Sequence, residues 1–282
     1  MEIFKEIEPL RAYLQAKRSA KLSVGLVPTM GALHQGHLTL IRAAFSENNL
    51  IVATIYVNPT QFNNASDLDK YPRSLEADIK MLEKENCHAL FMPSDLEMYS
   101  DTQYLKFDFG DLDKVMEGRF RPGHFSGVAL VVSKLFNIVQ PDKAYFGQKD
   151  YQQFQIIQRL VTELKFPVEL RSVPIVRDQT GLALSSRNQR LNEADLKKAT
   201  LLHECLVYAK DKLGQGEEFD LIKREVSQKF KEDEGLELEY LELADKMTLG
   251  PLEKNTHPNQ GILLIAAYIN GVRLIDNMIL DQ

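Results

Sequence analysis

The stretch "VGLVPTMGALHQGHLTLI", residues 24 to 41, sets two imidazoles, His34 and His37, and two glycines, Gly31 and Gly36, between an apolar run and an amphipathic helical pattern. A helix beginning here offers unpaired backbone N–H groups and a partial positive charge at its first turn, a setting suited to phosphate. The glycines allow close backbone approach, and the histidines, three apart, share one side of that turn. Both rings can therefore address one anion. In "PDKAYFGQKDYQQFQIIQRLV", Gly147, Lys149 and Asp150 stand in a second strand-to-helix turn. Lys149 can neutralise phosphate charge, Gly147 leaves room for a ribose, and Asp150 either caps the helix or accepts from a ribose hydroxyl. A third group, in "LALSSRNQRL", presents the hydroxyls of Ser185 and Ser186 and the guanidinium of Arg187, whose fork suits a transferring polyphosphate. The chain carries neither GxxxxGK[ST] nor GxGxxG at these turns, so a P-loop or dinucleotide fingerprint does not apply. A His pair at i, i+3 is half a metal site, but no nearby carboxylate or cysteine completes it, and no protein metal site is expected.

These residues need a scaffold, and the hydrophobic pattern supplies one. "LSVGLVPT", "NLIVATIYVN" and "ALFMPS" read as strands that alternate with helical "HLTLIRAAFSEN" and "YPRSLEADIKMLEKEN". "VALVVSKLFNIVQ", "KAYFG", "DYQQFQIIQRLVTEL" and "VELRSVPIV" continue as helix, strand, helix, strand. This order predicts an α/β fold with a doubly wound parallel sheet over residues 1–175, and the turns above fall where such sheets bind ligands. From 176 to 282 the texture changes to charged helices ("EADLKKATLLHECLVYAKDKL", "FDLIKREVSQKFKED") followed by strands ("LELEYLELAD", "GILLIAAYING", "VRLIDNMIL"), which predicts a smaller α+β domain. The N-terminal "MEIFKEIEPLRAYLQ" reads as the start of an acidic amphipathic helix rather than a signal sequence.

With 282 residues, 44% hydrophobic and 26% charged, the chain has the composition of a soluble globular protein. Its formal charge of -6 and lack of a long basic block disfavour a nucleic-acid or membrane partner, and no apolar run is long enough to span a bilayer. A cytoplasmic protein is expected. Cys87 and Cys205, far apart and without CxxC spacing, are expected to be buried reduced thiols.

HxGH at a strand-to-helix turn is the signature position of ATP-binding nucleotidyltransferases. The wider set "PTMGALHQGH", "YVNPTQF", "YPRSLEAD", "RPGHFSGV", "FGQKDYQQ" and "LSSRN" resembles the pantothenate synthetase (pantoate-β-alanine ligase) family across the whole chain. The resemblance implies a Rossmann-like fold and a two-step reaction. ATP and (R)-pantoate give a pantoyl adenylate, and β-alanine then displaces AMP; magnesium accompanies ATP. It implies catalytic roles for His34, His37, Lys149 and Arg187. For ATP it implies a site of Met30, Gly31, Ala32, Leu33, His34, Gln35, Gly36 and His37, then Gly147, Gln148, Lys149 and Asp150, then Val176, Leu184, Ser185, Ser186 and Arg187. Gln61 and Gln153 match the pantoate-binding glutamines, with Asn58 and Met30 beside them. Two positions depart from the family pattern: Gln148 where an acidic residue is common, and Leu184 where methionine is common. The resemblance also implies a homodimer, a C-terminal domain closing over ATP, and a polar lid in "FNNASDLDKYPRS". Asp78, Arg121 and His124 are expected to make structural salt bridges. The alternative is another HxGH nucleotidyltransferase, a pantetheine-phosphate adenylyltransferase or a cytidylyltransferase, against which the paired glutamines weigh.

Overall fold

The computed structural model describes residues 1–99, 102–252 and 260–280. Six strands, β1 (Glu2–Phe4), β2 (Val24–Thr29), β3 (Leu50–Ile55), β4 (Ala89–Phe91), β5 (Lys143–Gly147) and β6 (Glu169–Val173), form one sheet in the order β1-β4-β3-β2-β5-β6. Every neighbouring pair in it is parallel. The helices among them are α1 (Ile7–Ser19), α2 (Gln35–Glu47), α3 (Ala65–Asp69), α4 (Leu75–Lys84), α5 (Asp95–Met98), α6 (Met116–Phe120), α7 (His124–Val139) and α8 (Tyr151–Leu164).

Successive strand residues enter opposite cores. Val24, Leu26, Leu50, Val52, Ala144 and Phe146 pack with α1, α7 and α8 on one face. Val27, Ile51, Ala53 and Tyr145 pack with Leu40, Ile41 and Ala44 of α2 and Leu82 of α4 on the other. Burial on both faces is why these strands read as unbroken apolar runs. From β2 the chain steps to β3 on one side, while β5 lies on the other. The crevice beyond the carboxyl ends of β2 and β5 is thus the switch point of the sheet.

The N-terminus departs from the sequence expectation: Glu2–Phe4 is an edge strand paired with Ala89–Phe91, and the helix starts only at Ile7. Three residues are too few to leave an alternation, and β4 supplies the hydrogen bonds that define the strand.

The remainder comprises α9 (Glu193–Ala199), α10 (Leu201–Gly214), α11 (Phe219–Lys231) and an antiparallel sheet of β7 (Leu236–Asp245), β8 (Gly261–Ile269) and β9 (Val272–Ile279). The helix expected to run unbroken from residue 193 is two helices meeting at Thr200, whose hydroxyl donates to the Lys197 carbonyl. In β8, Ile262, Leu264 and Ala266 join the core shared with α7 and α8, while Leu263, Ile265, Ala267 and Ile269 pack on the opposite side with α10 and α11. A bulge between Leu238 and Tyr240 reverses the alternation of β7: Leu236 and Leu238 pack on the α10/α11 side before it, and Leu241 and Leu243 after it. The bulge turns Tyr240 and Ala244 toward the larger layer. Cys87 and Cys205 are buried free thiols, each pushed up to about 11 by burial. No helix among the described residues is long and apolar enough to cross a membrane.

Candidate active site

At the end of β2 the Thr29 hydroxyl donates to the Thr54 carbonyl (2.6 Å) and accepts from the Gly31 N–H (3.2 Å). Gly31 and Ala32 then take φ of 78° and 49°, a left-handed bend that Ala adopts only under external hold. The hold is Asp78 of α4, 1% exposed, whose two oxygens accept from the N–H groups of Ala32 and Leu33, both at 2.9 Å. Ser74 donates to it at 3.0 Å, and it has no ion pair among the described residues, so the expected salt bridge is replaced by a turn anchor.

This bend delivers His34 as the N-cap of α2. His34 Nδ1 accepts from the Gly36 N–H (3.1 Å), and His37 Nδ1 accepts from the His34 N–H (3.3 Å). With both Nδ1 atoms accepting, each neutral ring carries its proton on Nε2. The ring centroids are 4.1 Å apart. Burial first, and then the Lys149 charge, pull His34 down to about 4; burial with His34 and Lys149 nearby takes His37 well below its ordinary value. Two neutral N–H donors therefore stand at the positive end of a 13-residue helix. A Cβ at position 36 would come within 2.8 Å of the His34 ring, so any other residue there would displace that ring.

Across the switch point, β5 ends at Gly147, and Lys149 lies 3.4 Å from Asp150. Asn277 of β9 clamps this turn by donating to the carbonyls of Gln148 and Lys149 (3.0 and 2.9 Å). Ser186 donates to the Ala32 carbonyl (3.0 Å), joining the third group to the first bend. Arg187 and Arg190 share the carboxylate of Asp67 on α3 (2.9 and 3.1 Å), so the polar segment expected as a lid is tied to the arginine loop.

A cleft of about 210 Å³ collects Met30, His34, Gly36, His37, Asn58, Gln61, Gly147, Lys149, Asp150, Gln153, Val176, Leu184, Ser185, Ser186 and Arg187. Five expected residues do not line it. Gly31, Ala32 and Leu33 are buried in the bend, Gln35 is exposed on α2, and Gln148 faces Asn277, to which its side-chain amide donates at 3.3 Å. Gln61 is fixed from both ends, accepting from Asn58 (3.1 Å) and donating to Met30 Sδ (3.0 Å). Gln153 makes no side-chain hydrogen bond among the described residues, whereas its neighbour Gln152 is consumed in fastening the segment around α6. Sequence reasoning missed Tyr71 and the apolar wall of α7, Val128, Val131, Val132 and Leu135. An apolar helix gives no sign of which stripe meets a ligand and which meets a core.

Comparison with known proteins identifies the family of the chain. A profile of the pantoate-β-alanine ligase family matches residues 2–279. The pantothenate synthetase of Christiangramia forsetii is 45% identical over 284 residues, covering all of both chains, and that of Thermotoga petrophila is 43% identical over 281 residues, covering 99% of this chain and 100% of its own. The crystal structure of pantothenate synthetase from Thermus thermophilus superposes with a TM-score of 0.92 at 39% identity over the full length of both chains. The Francisella tularensis pantoate-β-alanine ligase, complexed with β,γ ATP and β-alanine, gives 0.83 at 34% identity over 99% of this chain and 97% of its own. A match that runs from the first strand to the last, over a chain whose switch-point cleft is built from these motifs, places this protein in the pantoate-β-alanine ligase family.

Proposed function

We propose that this protein joins (R)-pantoate to β-alanine using ATP, giving pantothenate, AMP and pyrophosphate through a pantoyl adenylate. The observation that carries the reading is the convergence, in one cleft, of two neutral Nε2–H donors, a helix N-terminus and Lys149 with the amides of Gln61 and Gln153. The first set fits a polyphosphate and the second a small hydroxy acid. In the first half-reaction a pantoate carboxylate oxygen attacks the α-phosphorus, and the bond to the pyrophosphate oxygen breaks. His34, His37, Lys149 and Arg187 stabilise the charge that develops there; the histidines act as hydrogen-bond donors, since neither carries a spare proton at neutral pH. In the second half the β-alanine nitrogen attacks the acyl carbon, the bond to AMP breaks, and the ammonium proton is lost to solvent. Holding the amine against the mixed anhydride is worth up to about 7–11 kcal/mol in well-oriented systems.

Arg187 is held by Asp67 here, so polyphosphate binding exchanges one anion for another. The ATP site extends to Val176 and Leu184, and residues 176–282 close over the nucleotide. Asp150, the carboxylate lining the cleft, would hold a magnesium ion together with phosphate oxygens, a donor set this ion accepts, and the ion would supply neutralisation of phosphate charge. The family resemblance also supports a homodimer acting in the cytoplasm. The test is isotope exchange between pyrophosphate and ATP, with magnesium and (R)-pantoate present and β-alanine absent. Exchange is expected to require pantoate and to fall by at least about 100-fold in His37→Ala, the scale of one lost transition-state donor. Exchange that ignores pantoate would remove the adenylate.

A further inference from the structure

Behind Lys149 and Arg187 the main cleft continues into a recess of about 40 Å³ lined by Glu117, Arg121, His124, Leu264 and Arg273, and it shares Lys149, Asp150, Gln153, Ser185 and Arg187 with the cleft. Most charges in it already have partners. Arg273 donates to both oxygens of Glu117 and also to Glu239, and Tyr240 donates to Glu117 at 2.8 Å. Asp276 is held by Arg177 at 2.9 Å, and Arg187 by Asp67. Arg121 makes the structural ion pair expected of it, with Glu117, but donates no hydrogen bond to a carboxylate among the described residues. Its side chain is 14% exposed, it lies 3.8 Å from Glu117, and among the described residues its guanidinium makes one hydrogen bond, to His124 Nε2 at 3.2 Å.

That bond fixes the chemistry of the pair. His124 Nδ1 lies 2.8 Å from the Gln61 carbonyl, which only accepts, so Nδ1 carries the proton and Nε2 accepts from Arg121. Burial, with the Arg121 charge beside it, pulls His124 down to about 3, and the ring stays neutral. His124 is therefore not the salt-bridging cation expected from sequence. It is a strut between the turn that carries Gln61 and the guanidinium in the recess. A largely buried guanidinium with four N–H groups not bonded to the described residues can still take a planar carboxylate in charge-assisted hydrogen bonds.

We propose that Arg121 is the carboxylate-binding residue for the amine substrate, with the carboxylate of β-alanine in the recess and its amine reaching past Gln153 into the main cleft. This assignment rests on the ligase reading above. Size separates the two anions the site could meet. At roughly 10 to 15 Å³ per water, the recess has room for about three waters, a size that suits a carboxylate group better than a whole pyrophosphate. Charge-assisted hydrogen bonds to a substrate also discriminate strongly against an analogue that lacks the charge.

The test compares β-alanine with its primary amide as acceptor, in the wild type, Arg121→Gln and Arg121→Lys, alongside the pantoate-dependent pyrophosphate exchange. The wild type is expected to prefer β-alanine. In Arg121→Gln the KM for β-alanine should rise by about 10- to 100-fold and the preference over the amide should fall by a similar factor, with Arg121→Lys recovering part of both. The exchange should fall much less than the amine step. An unchanged acceptor preference in either variant, or an exchange that falls as far as the amine step, overturns the assignment. Wild-type protein that shows no pantoate-dependent exchange defeats the ligase reading first. The lysine variant, which keeps a cation at the site, covers the case in which Arg121→Gln does not fold.

Discussion

Removing the Asp78 carboxylate should damage the site without touching a ligand. Its two oxygens are the acceptors for the N–H groups of Ala32 and Leu33, at 2.9 Å and deep in the core. Asp78→Ala strands both donors, and each buried unsatisfied donor costs about 1–3 kcal/mol, so the expected loss is about 2–6 kcal/mol. The bend adds to this, because Ala32 at φ 49° returns to a right-handed conformation once released, and His34 moves with it. Asp78→Asn keeps one acceptor and turns the other into a donor facing a donor, for an expected loss of about 2–3 kcal/mol. Against a total stability of about 5–15 kcal/mol, either change is readily measured. The chain has no tryptophan, so urea unfolding is best followed by far-ultraviolet circular dichroism. The ATP dissociation constant, measured on folded variant, should rise at least about tenfold, since the α2 N-terminus and His34 no longer present their donors together. An alanine variant within about 1 kcal/mol of wild type, with unaltered ATP affinity, would refute the argument and leave the bend held by Thr29 and Ser186.

Two further outcomes follow from the packing. His124 is about 3 in the folded protein against an ordinary value of 6.5; a depressed histidine contributes stability above 6.5 and loses it as pH falls toward 3. Between pH 6.5 and 4.5 this one ring should account for about 2 kcal/mol of lost stability, and His124→Gln, which can still donate to Gln61 and accept from Arg121, should flatten the profile by that amount; an equal slope in both proteins would contradict it. At Gly127 of α7 a Cβ would lie 2.2 Å from the Thr60 carbonyl oxygen, so Gly127→Ala must push the Pro59–Gln61 turn away, with about 1–3 kcal/mol of destabilisation and a raised KM for pantoate at unchanged ATP affinity. Normal pantoate kinetics in that variant would detach Gln61 from substrate binding.

The parallel sheet was legible because both of its faces are buried, leaving long apolar runs that short helices punctuate. The strand-to-helix turns that meet in the cleft were legible because glycine, histidine and lysine gathered at strand ends stand out from the apolar runs around them. What escaped lies in long-range pairing. Asp78 is 46 positions from Ala32, and Ser186 is 154 from its carbonyl partner. None of these separations leaves a local periodicity. The short strand Glu2–Phe4 was missed for the same reason, since β4 defines it and not its own residues.

The strand β8 appears in the sequence as one word, "GILLIAAYI", yet it is two interleaved texts. Positions 263, 265, 267 and 269 answer to α10 and α11, while 262, 264 and 266 answer to the layer that holds the cleft, and Leu264 borders the recess itself. Drift among aliphatic residues at the odd positions can therefore tune heat resistance while the chemistry stays put. The same exchange at Leu264 would instead reshape the recess. Insertion of a single residue into this strand would trade the two texts and garble both at once.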